Sequence, residues 1–237
     1  QFTRTRLLLG SEALDTLANA RVAVFGIGGV GGYVTEALAR SGVGALDLVD
    51  SDTVDITNVN RQIVATTKTL GDYKVDIMAR RVRDINPQCH VTVHKCFYLP
   101  GTAGEFDFRD YDYVVDAIDT LSPKLALIKG ALDRSLPLVS SMGAGAKTDP
   151  TKMEIADISK THHCPLAHML RKRLHKIGIR RGFRAVFSPE PMREGAMILC
   201  EEQNKKSNVG TISYIPALFG IGCASVVIRD LIGELEG

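Results

Sequence analysis

The 237 residues carry 29 Lys and Arg against 27 Asp and Glu, a net charge of only +2, which excludes nucleic-acid binding through overall charge and leaves it to a local patch. With 45% apolar and 24% charged residues the composition is that of an ordinary soluble protein, long enough to bury a good core. The five cysteines (Cys89, Cys96, Cys164, Cys200, Cys223) form no C-x-x-C pair, which argues against a zinc knuckle and a disulfide framework. The expected setting is therefore the reducing cytoplasm, without a signal peptide.

Arg4 and Arg6 precede an apolar triplet, and Ser11 is placed to cap a short helix through Asn19. The run Arg21–Phe25 reads as a strand feeding Gly26-Ile-Gly28-Gly29-Val-Gly31, with a helix over Tyr33–Arg40. Strand, glycine turn and helix form the context in which G-x-G-x-x-G cradles a phosphate. Gly26 allows the turn, Gly28 a close approach to phosphate, and Gly31 tight packing of helix on strand. Ala45–Asp50 is the second strand, and Asp50 falls 19 residues beyond Gly31, where such folds place a ribose-binding acid.

The stretch from Asp50 through Asp52, Asn58, Asn60, Arg61 and Gln62 then crowds polar groups just after a strand's carboxyl end, where open α/β sheets bind ligands. A helix is predicted over Asp72–Ile85. Its Lys74 lies in the first turn, the wrong end for the helix dipole, so it either points into solvent or meets a phosphate. Val91 and Val93 mark a third strand, Tyr111–Asp119 a fourth, and Leu136–Met142 a fifth. Between the last two, Ser122-Pro123 reads as a cap and first-turn proline.

Beyond Pro150 two further strands are expected at Met153–Ile158 and Arg184–Phe187, in an antiparallel extension. Between them Pro165–Ile177 is an amphipathic helix with Leu166, Leu170, Leu174 and Ile177 on one stripe. Arg171, Lys172, Arg173 and Lys176 on its other face, with Arg180, Arg181 and Arg184 beyond, make the best candidate for holding nucleic acid; a solvated face is the alternative. Glu201–Asn208 reads as a mobile polar loop, and Ile212–Ile232 as a buried helix packed on the sheet rather than a membrane span. The expected architecture is α/β: a Rossmann-like, doubly wound, mostly parallel sheet with an antiparallel C-terminal extension. The 237 residues are read as one unit, with a nucleotide-binding core over 1–150 and a substrate-side extension over 151–237.

Two chemistries suit the glycine turn and Asp50. An NAD-dependent oxidoreductase leaves Asn58–Gln62 unused and offers no recognisable hydride-transfer site. Transfer of adenylate to a carboxylate needs cations for the phosphoryl oxygens, an acid for Mg²⁺ and groups that fix the adenosine. Arg61 and Lys74, Asp119 and Asp50 answer those needs in order along the chain, although Asp119 also suits a helix cap and Asn58 a turn. Asn58, Asn60 and Gln62 suit a triphosphate through neutral hydrogen bonds. A non-catalytic nucleotide-binding scaffold is the third class.

The motifs Gly26-x-Gly28-Gly29-x-Gly31, Asp50-x-Asp52, Asn58-x-Asn60-Arg61-Gln62, Lys74 and Asp116-Ala-Ile-Asp119 resemble the nucleotide site of the ubiquitin-activating-like (ThiF/MoeB-type) adenylyltransferases. Ile85-Asn-Pro87, Ser140–Gly145, Thr148-Asp-Pro150 and Ala156–Lys160 narrow the resemblance to dehydratases acting on threonylcarbamoyladenosine in tRNA. The resemblance implies that Asp50 binds the ribose, Asn58, Arg61 and Lys74 the phosphates of ATP, and Asp119 the Mg²⁺. It implies a homodimer in which an N-terminal arginine, Arg4 ahead of Arg6, reaches the partner's site, and leaves room for sulfur-transfer partner proteins. The alternative in the same superfamily is activation of a small sulfur carrier's C-terminal Gly-Gly, whose enzymes usually carry C-x-x-C zinc pairs. The resemblance disfavours the non-catalytic scaffold, because inactive members of that superfamily typically lose the phosphate-binding cations or the metal acid.

Overall fold

Parallel strands at the centre set the frame. The computed structural model describes residues 1–99, 101, 106–193, 195–202 and 205–235, with the backbone alone over 197–202 and 205–208. Helix α1 (Thr3–Asn19) leads into β1 (Arg21–Phe25), α2 (Gly31–Ser41), β2 (Ala45–Val49), α3 (Lys74–Ile85) and β3 (His90–His94). Then come β4 (Tyr113–Asp116), α4 (Leu121–Leu132), β5 (Leu138–Ser141), β6 (Glu154–Asp157), α5 (Pro165–Lys176) and β7 (Arg184–Phe187). The hairpin strands β8 (Met197–Glu202) and β9 (Lys205–Val209) and the helix α6 (Tyr214–Leu231) close the chain.

Seven strands form one sheet in the order β3-β2-β1-β4-β5-β7-β6, parallel throughout except for the β6·β7 pair. The central strands bury both faces, as a sheet covered on both sides requires. On one face the core draws on Leu17 of α1, Val34 and Leu38 of α2, Met78 and Val82 of α3, and Phe219 of α6. On the other it draws on Leu127 and Ile128 of α4, Leu170 and Leu174 of α5, and the aromatic group Phe25, Tyr98, Phe106 and Phe108. Chain order reverses at β1, with β2 on one side and β4 on the other, which opens a crevice at the carboxyl ends of these strands.

Four local expectations need correction. Of the predicted loop Glu201–Asn208, residues 201–202 and 205–208 belong to β8 and β9, and 203–204 lie outside the described residues: a two-stranded ribbon is held by its ladder and needs no apolar period. The fourth helix is capped at Thr120, and Ser122 with Pro123 already lies inside it. The N-terminal helix begins at Thr3, and Gly10, at φ +85°, breaks it just ahead of Ser11. In α5, Ala167 joins Leu170 and Leu174 in the core, whereas Ile177 is 43% exposed because the helix ends at Lys176. The apolar α6 is long enough to cross a bilayer by length and composition, and half of it is buried, against α2 and the central strands.

Candidate active site

The glycine turn closes on itself. Gly26 holds φ +90° at the end of β1, and a Cβ there would lie 2.8 Å from the Ala117 carbonyl oxygen. A Cβ on Gly31 would fall 1.7 Å from the Gly26 carbonyl oxygen, so strand and helix meet at a separation only glycine permits. α2 begins at Gly31, which sets the positive end of its dipole at the turn, and the Gly32 N–H donates back to the Gly28 carbonyl at 3.1 Å. Beside Gly28 there is space: the nearest atom to a Cβ would be Gln62 Nε2, at 3.8 Å. Over Gly29 lies the stem of Arg61, with Cγ 3.5 Å from a Cβ position.

Asp50 follows β2 directly and joins the two halves. Its carboxylate accepts the Ile27 N–H at 2.6 Å and the Asp52 N–H at 2.8 Å. Burial pushes its pKa above the ordinary aspartate value; the nearby Lys74 charge and the two backbone N–H groups oppose that without cancelling it. Lys74 is the first residue of α3 and is 5% exposed, so it does not point into solvent. Its Nζ lies 2.8 Å from Asp52 Oδ2, and its N–H donates to the Asp52 carbonyl at 3.1 Å. Asp52 is thus the counter-ion that holds the lysine beside the glycine turn.

The Asn58–Gln62 cluster divides its labour. Asn58 is buried, and its Oδ1 accepts the Asp55 N–H at 3.2 Å in a capping box, so its carbonyl shapes the turn. Asn60 donates from Nδ2 to the Thr211 carbonyl at 2.9 Å and accepts from Arg61 Nη1 at 2.9 Å. It braces Arg61 against the approach to α6. Arg61 Nη1 also donates to the Thr57 carbonyl at 2.8 Å. Gln62 is 7% exposed, and its buried Oε1 has no hydrogen-bond partner, as is true of Ser51 Oγ next to Asp50. Two orphaned polar atoms and an open glycine face mark a place built for a polar ligand.

Asp119 stands exposed in the bridge between β4 and α4. Among the described residues no group of three or more His, Cys, Asp or Glu comes together as a metal site. A single carboxylate suits Mg²⁺ that arrives with nucleotide phosphates, because that ion takes few protein ligands.

A family model described as the ThiF family matches residues 2–236. The chain belongs to the ThiF family. It is 46% identical to the tRNA threonylcarbamoyladenosine dehydratase of Bacillus subtilis, over all of this chain and 96% of the relative. It matches the crystal structure of the Escherichia coli tRNA N6-threonylcarbamoyladenosine dehydratase in complex with ATP with a TM-score of 0.90 and 38% identity, covering 98% of this chain and 94% of that one. The sulfur carrier protein adenylyltransferase of Thermus thermophilus is more distant, at 29% identity over 95% of this chain and 74% of its own length.

Two groups of expected residues lie outside the ThiF crevice. Arg4 and Arg6 are exposed on α1, with Leu7 and Leu8 more than 80% exposed beside them. Phe2 packs near Gly42, at the C-terminal end of α2, so Arg4 is separated from its own glycine turn by the length of that helix, about 16 Å for its 11 residues. On α5, Lys172, Arg173 and Lys176 are exposed, as are Arg180 and Arg181 beyond it, whereas Arg171 is half-buried and donates to Thr161 Oγ1. Arg171 therefore braces the helix from its buried side and leaves the exposed basic set. Arg184 lies in β7.

Behind the crevice, buried Lys124 meets Asp116 and Ser140, a contact that no local pattern in the sequence announces. Lys124 occupies the first turn of α4, so the dipole argument applied to Lys74 would have marked it too. Cys223, fully buried, has its thiol pushed up to about 12 by burial, and Cys89 is raised to about 11 for the same reason. Neither is a nucleophile at neutral pH. The side chain of Cys200 lies outside the described residues.

Proposed function

We propose that the protein uses ATP to dehydrate threonylcarbamoyladenosine in tRNA, closing the modification into a ring. The observation that carries this reading is the set Asp50, Arg61, Lys74 and Asp119 around one glycine turn at the reversal point of the sheet. A carboxylate oxygen of the threonyl group attacks the α-phosphorus, the bond to the β-phosphate oxygen breaks, and pyrophosphate leaves. A nucleophile within the same side chain then attacks the acyl carbon, loses its proton and expels AMP, so the nucleoside loses one water in all. No enzyme nucleophile is needed, and intramolecularity alone can contribute on the order of 7–11 kcal/mol to the second step at best.

In this reading Asp50 binds the ribose hydroxyls. Arg61 and Lys74 neutralise charge on the phosphates, with Asn58 beside them, and Gln62 offers its unpaired Oε1 to accept from a hydroxyl or amino group of the ligand. The backbone from Gly26 to Gly31 lies along the nucleotide. Mg²⁺, held by Asp119 together with the phosphates, would supply charge neutralisation at the leaving group.

The chain acts as one unit, 1–150 holding the nucleotide and 151–237 the substrate side, in a cytoplasmic homodimer. Arg4 completes the partner's site; the support is that it cannot span α2 to reach its own, and that Leu7 and Leu8 offer apolar surface for a second copy. Lys172, Arg173, Lys176, Arg180 and Arg181 hold the tRNA backbone without reading sequence. Sulfur-transfer proteins remain candidate accessory partners.

The deciding experiment incubates the protein with ATP, Mg²⁺ and modified tRNA and weighs the released nucleosides. Loss of 18 mass units from threonylcarbamoyladenosine, on the order of one water per AMP formed, is the expected result. An unchanged nucleoside with adenylation of a Gly-Gly carrier instead overturns the reading.

A further inference from the structure

The strand end that carries Asp119 is anchored by groups set behind the crevice. Asp116, the last residue of β4, and Lys124, in the first turn of α4, are both 0% exposed, and Lys124 Nζ lies 2.7 Å from Asp116 Oδ2. The same ammonium donates to Ser140 Oγ at 3.1 Å and to the Ser141 carbonyl at 2.8 Å, so all three of its protons are used. Asp116 Oδ2 also accepts from Ser140 Oγ at 2.6 Å, and Oδ1 accepts the Ile118 N–H at 3.1 Å. One buried pair thereby ties the carboxyl ends of β4 and β5 to the start of α4.

Between Asp116 and α4 runs the four-residue bridge 117–120, which holds Asp119. Its other side is fixed by the Ala117 N–H, which donates to the Phe25 carbonyl at 2.9 Å, and by the close fit of the Ala117 carbonyl over Gly26. The bridge is therefore clamped to the glycine turn at one edge and to the ion pair at the other.

A buried ion pair adds little net stability, because desolvating two charges offsets their attraction, and apolar residues of like volume often do as well. Lys124 carries a second cost, since a cation in the first turn opposes the helix dipole. What a fully satisfied pair does well is hold one geometry. We propose that Asp116 and Lys124 form the positioning pair of the adenylation site, setting the Asp119 carboxylate at the height over the glycine turn that lets it share a divalent ion with the nucleotide. This rests on the reading of Asp119 as the metal acid, and the test separates the two.

The test compares the intact protein with the apolar double variant Asp116→Leu/Lys124→Met, with Ser140→Ala and with Asp119→Ala. Each is melted, and each is titrated with ATP by calorimetry across a range of Mg²⁺ concentrations. The double variant should melt within a few degrees of the parent, yet need about 10–100-fold more Mg²⁺ for half-maximal enhancement of ATP binding, the usual cost of losing groups that orient a metal ligand. Ser140→Ala, which removes one hydrogen bond from each member and keeps the pair, should shift the Mg²⁺ requirement about threefold and lower the melting temperature by a few degrees while the protein stays folded. A folded double variant with the parent's Mg²⁺ curve overturns the proposal. If the double variant does not fold, Ser140→Ala decides: an unchanged curve overturns it and a shifted one supports it. An unchanged curve in Asp119→Ala overturns the metal-acid reading itself, and the pair's role with it.

Discussion

Lys74 Nζ lies 2.8 Å from Asp52 Oδ2, and the lysine is the buried partner of the two. Its charge is thus already held at the edge of the glycine turn before any phosphate arrives, which removes the reorganisation that a solvated lysine would need. Lys74→Met should leave the fold intact and lower the rate of ATP-dependent AMP formation by about 10²–10³-fold. Asp52→Asn should cost less, because the cation remains. Steady-state AMP release measures both, and a fully active Lys74→Met removes the lysine from the site.

Arg61 rests its stem over Gly29 and is aimed by the carbonyl oxygens of Thr57 and Asn60. Arg61→Ala should abolish AMP release while the melting temperature stays near that of the parent, because the side chain adds no core contact. Asn60→Ala should give a partial loss, about tenfold, since it frees the arginine without removing it. Equal rates for the Asn60 variant and the parent would show that the brace does not matter.

Asp50 titrates above an ordinary aspartate because it is buried. The sign follows: as pH falls through this raised pKa the carboxylate gains its proton and loses its capacity to accept from ribose hydroxyls. ATP affinity should therefore fall on the acid side at a pH where a free aspartate would still be ionised. In the folding equilibrium the same raised value works the other way, with stability lost as pH rises through it. Calorimetric titration of ATP against pH checks the first effect. Asp50→Asn should bind weakly with no such step, and a parent whose affinity is flat across that range would remove Asp50 from nucleotide binding.

The exposed basic set beyond the buried face of α5 predicts salt-dependent binding of tRNA. Reversing Lys172, Arg173 and Arg180 to glutamate should weaken tRNA binding and flatten its dependence on salt, with ATP binding unchanged. Arg171→Glu should instead lower the melting temperature, because Arg171 is half-buried against Thr161. Equal tRNA affinity in the triple variant would move the tRNA to another face.

Complementation tests the arginine from the partner. Arg4→Ala and Asp119→Ala should each be inactive alone. Mixed and allowed to exchange subunits, they should recover about a quarter of the parent's rate, since one in four sites in the random mixture pairs an intact Asp119 with an intact Arg4. No recovery in a mixture that is shown to exchange would place Arg4 outside the partner's site.

Local chemistry made much of this protein legible from its sequence. The glycine spacing, the acid 19 residues on and the alternation of strands and helices specify a doubly wound sheet with a phosphate turn, because each depends on neighbours within a few residues. The polar stretch from Asn58 to Gln62 likewise announced a site at a strand end. What residue types alone could not tell was each residue's task. Asn60 is a brace because Thr211, 151 positions away, presents a carbonyl to it. Lys74 is neither solvated nor free because Asp52 is brought back beside it by the bridge between Thr53 and Tyr73.

The same division explains the rest. Sequence determined which side chains carry charge, which turns demand glycine and which helix faces are apolar. Only the tertiary structure decided that Asp116 would meet Lys124 and Ser140 fully buried, and that Arg4 would end up a helix length from its own glycine turn. Long-range pairing of polar groups is set by how strands and helices dock, and burial then turns those pairs from weak surface contacts into fixed geometry.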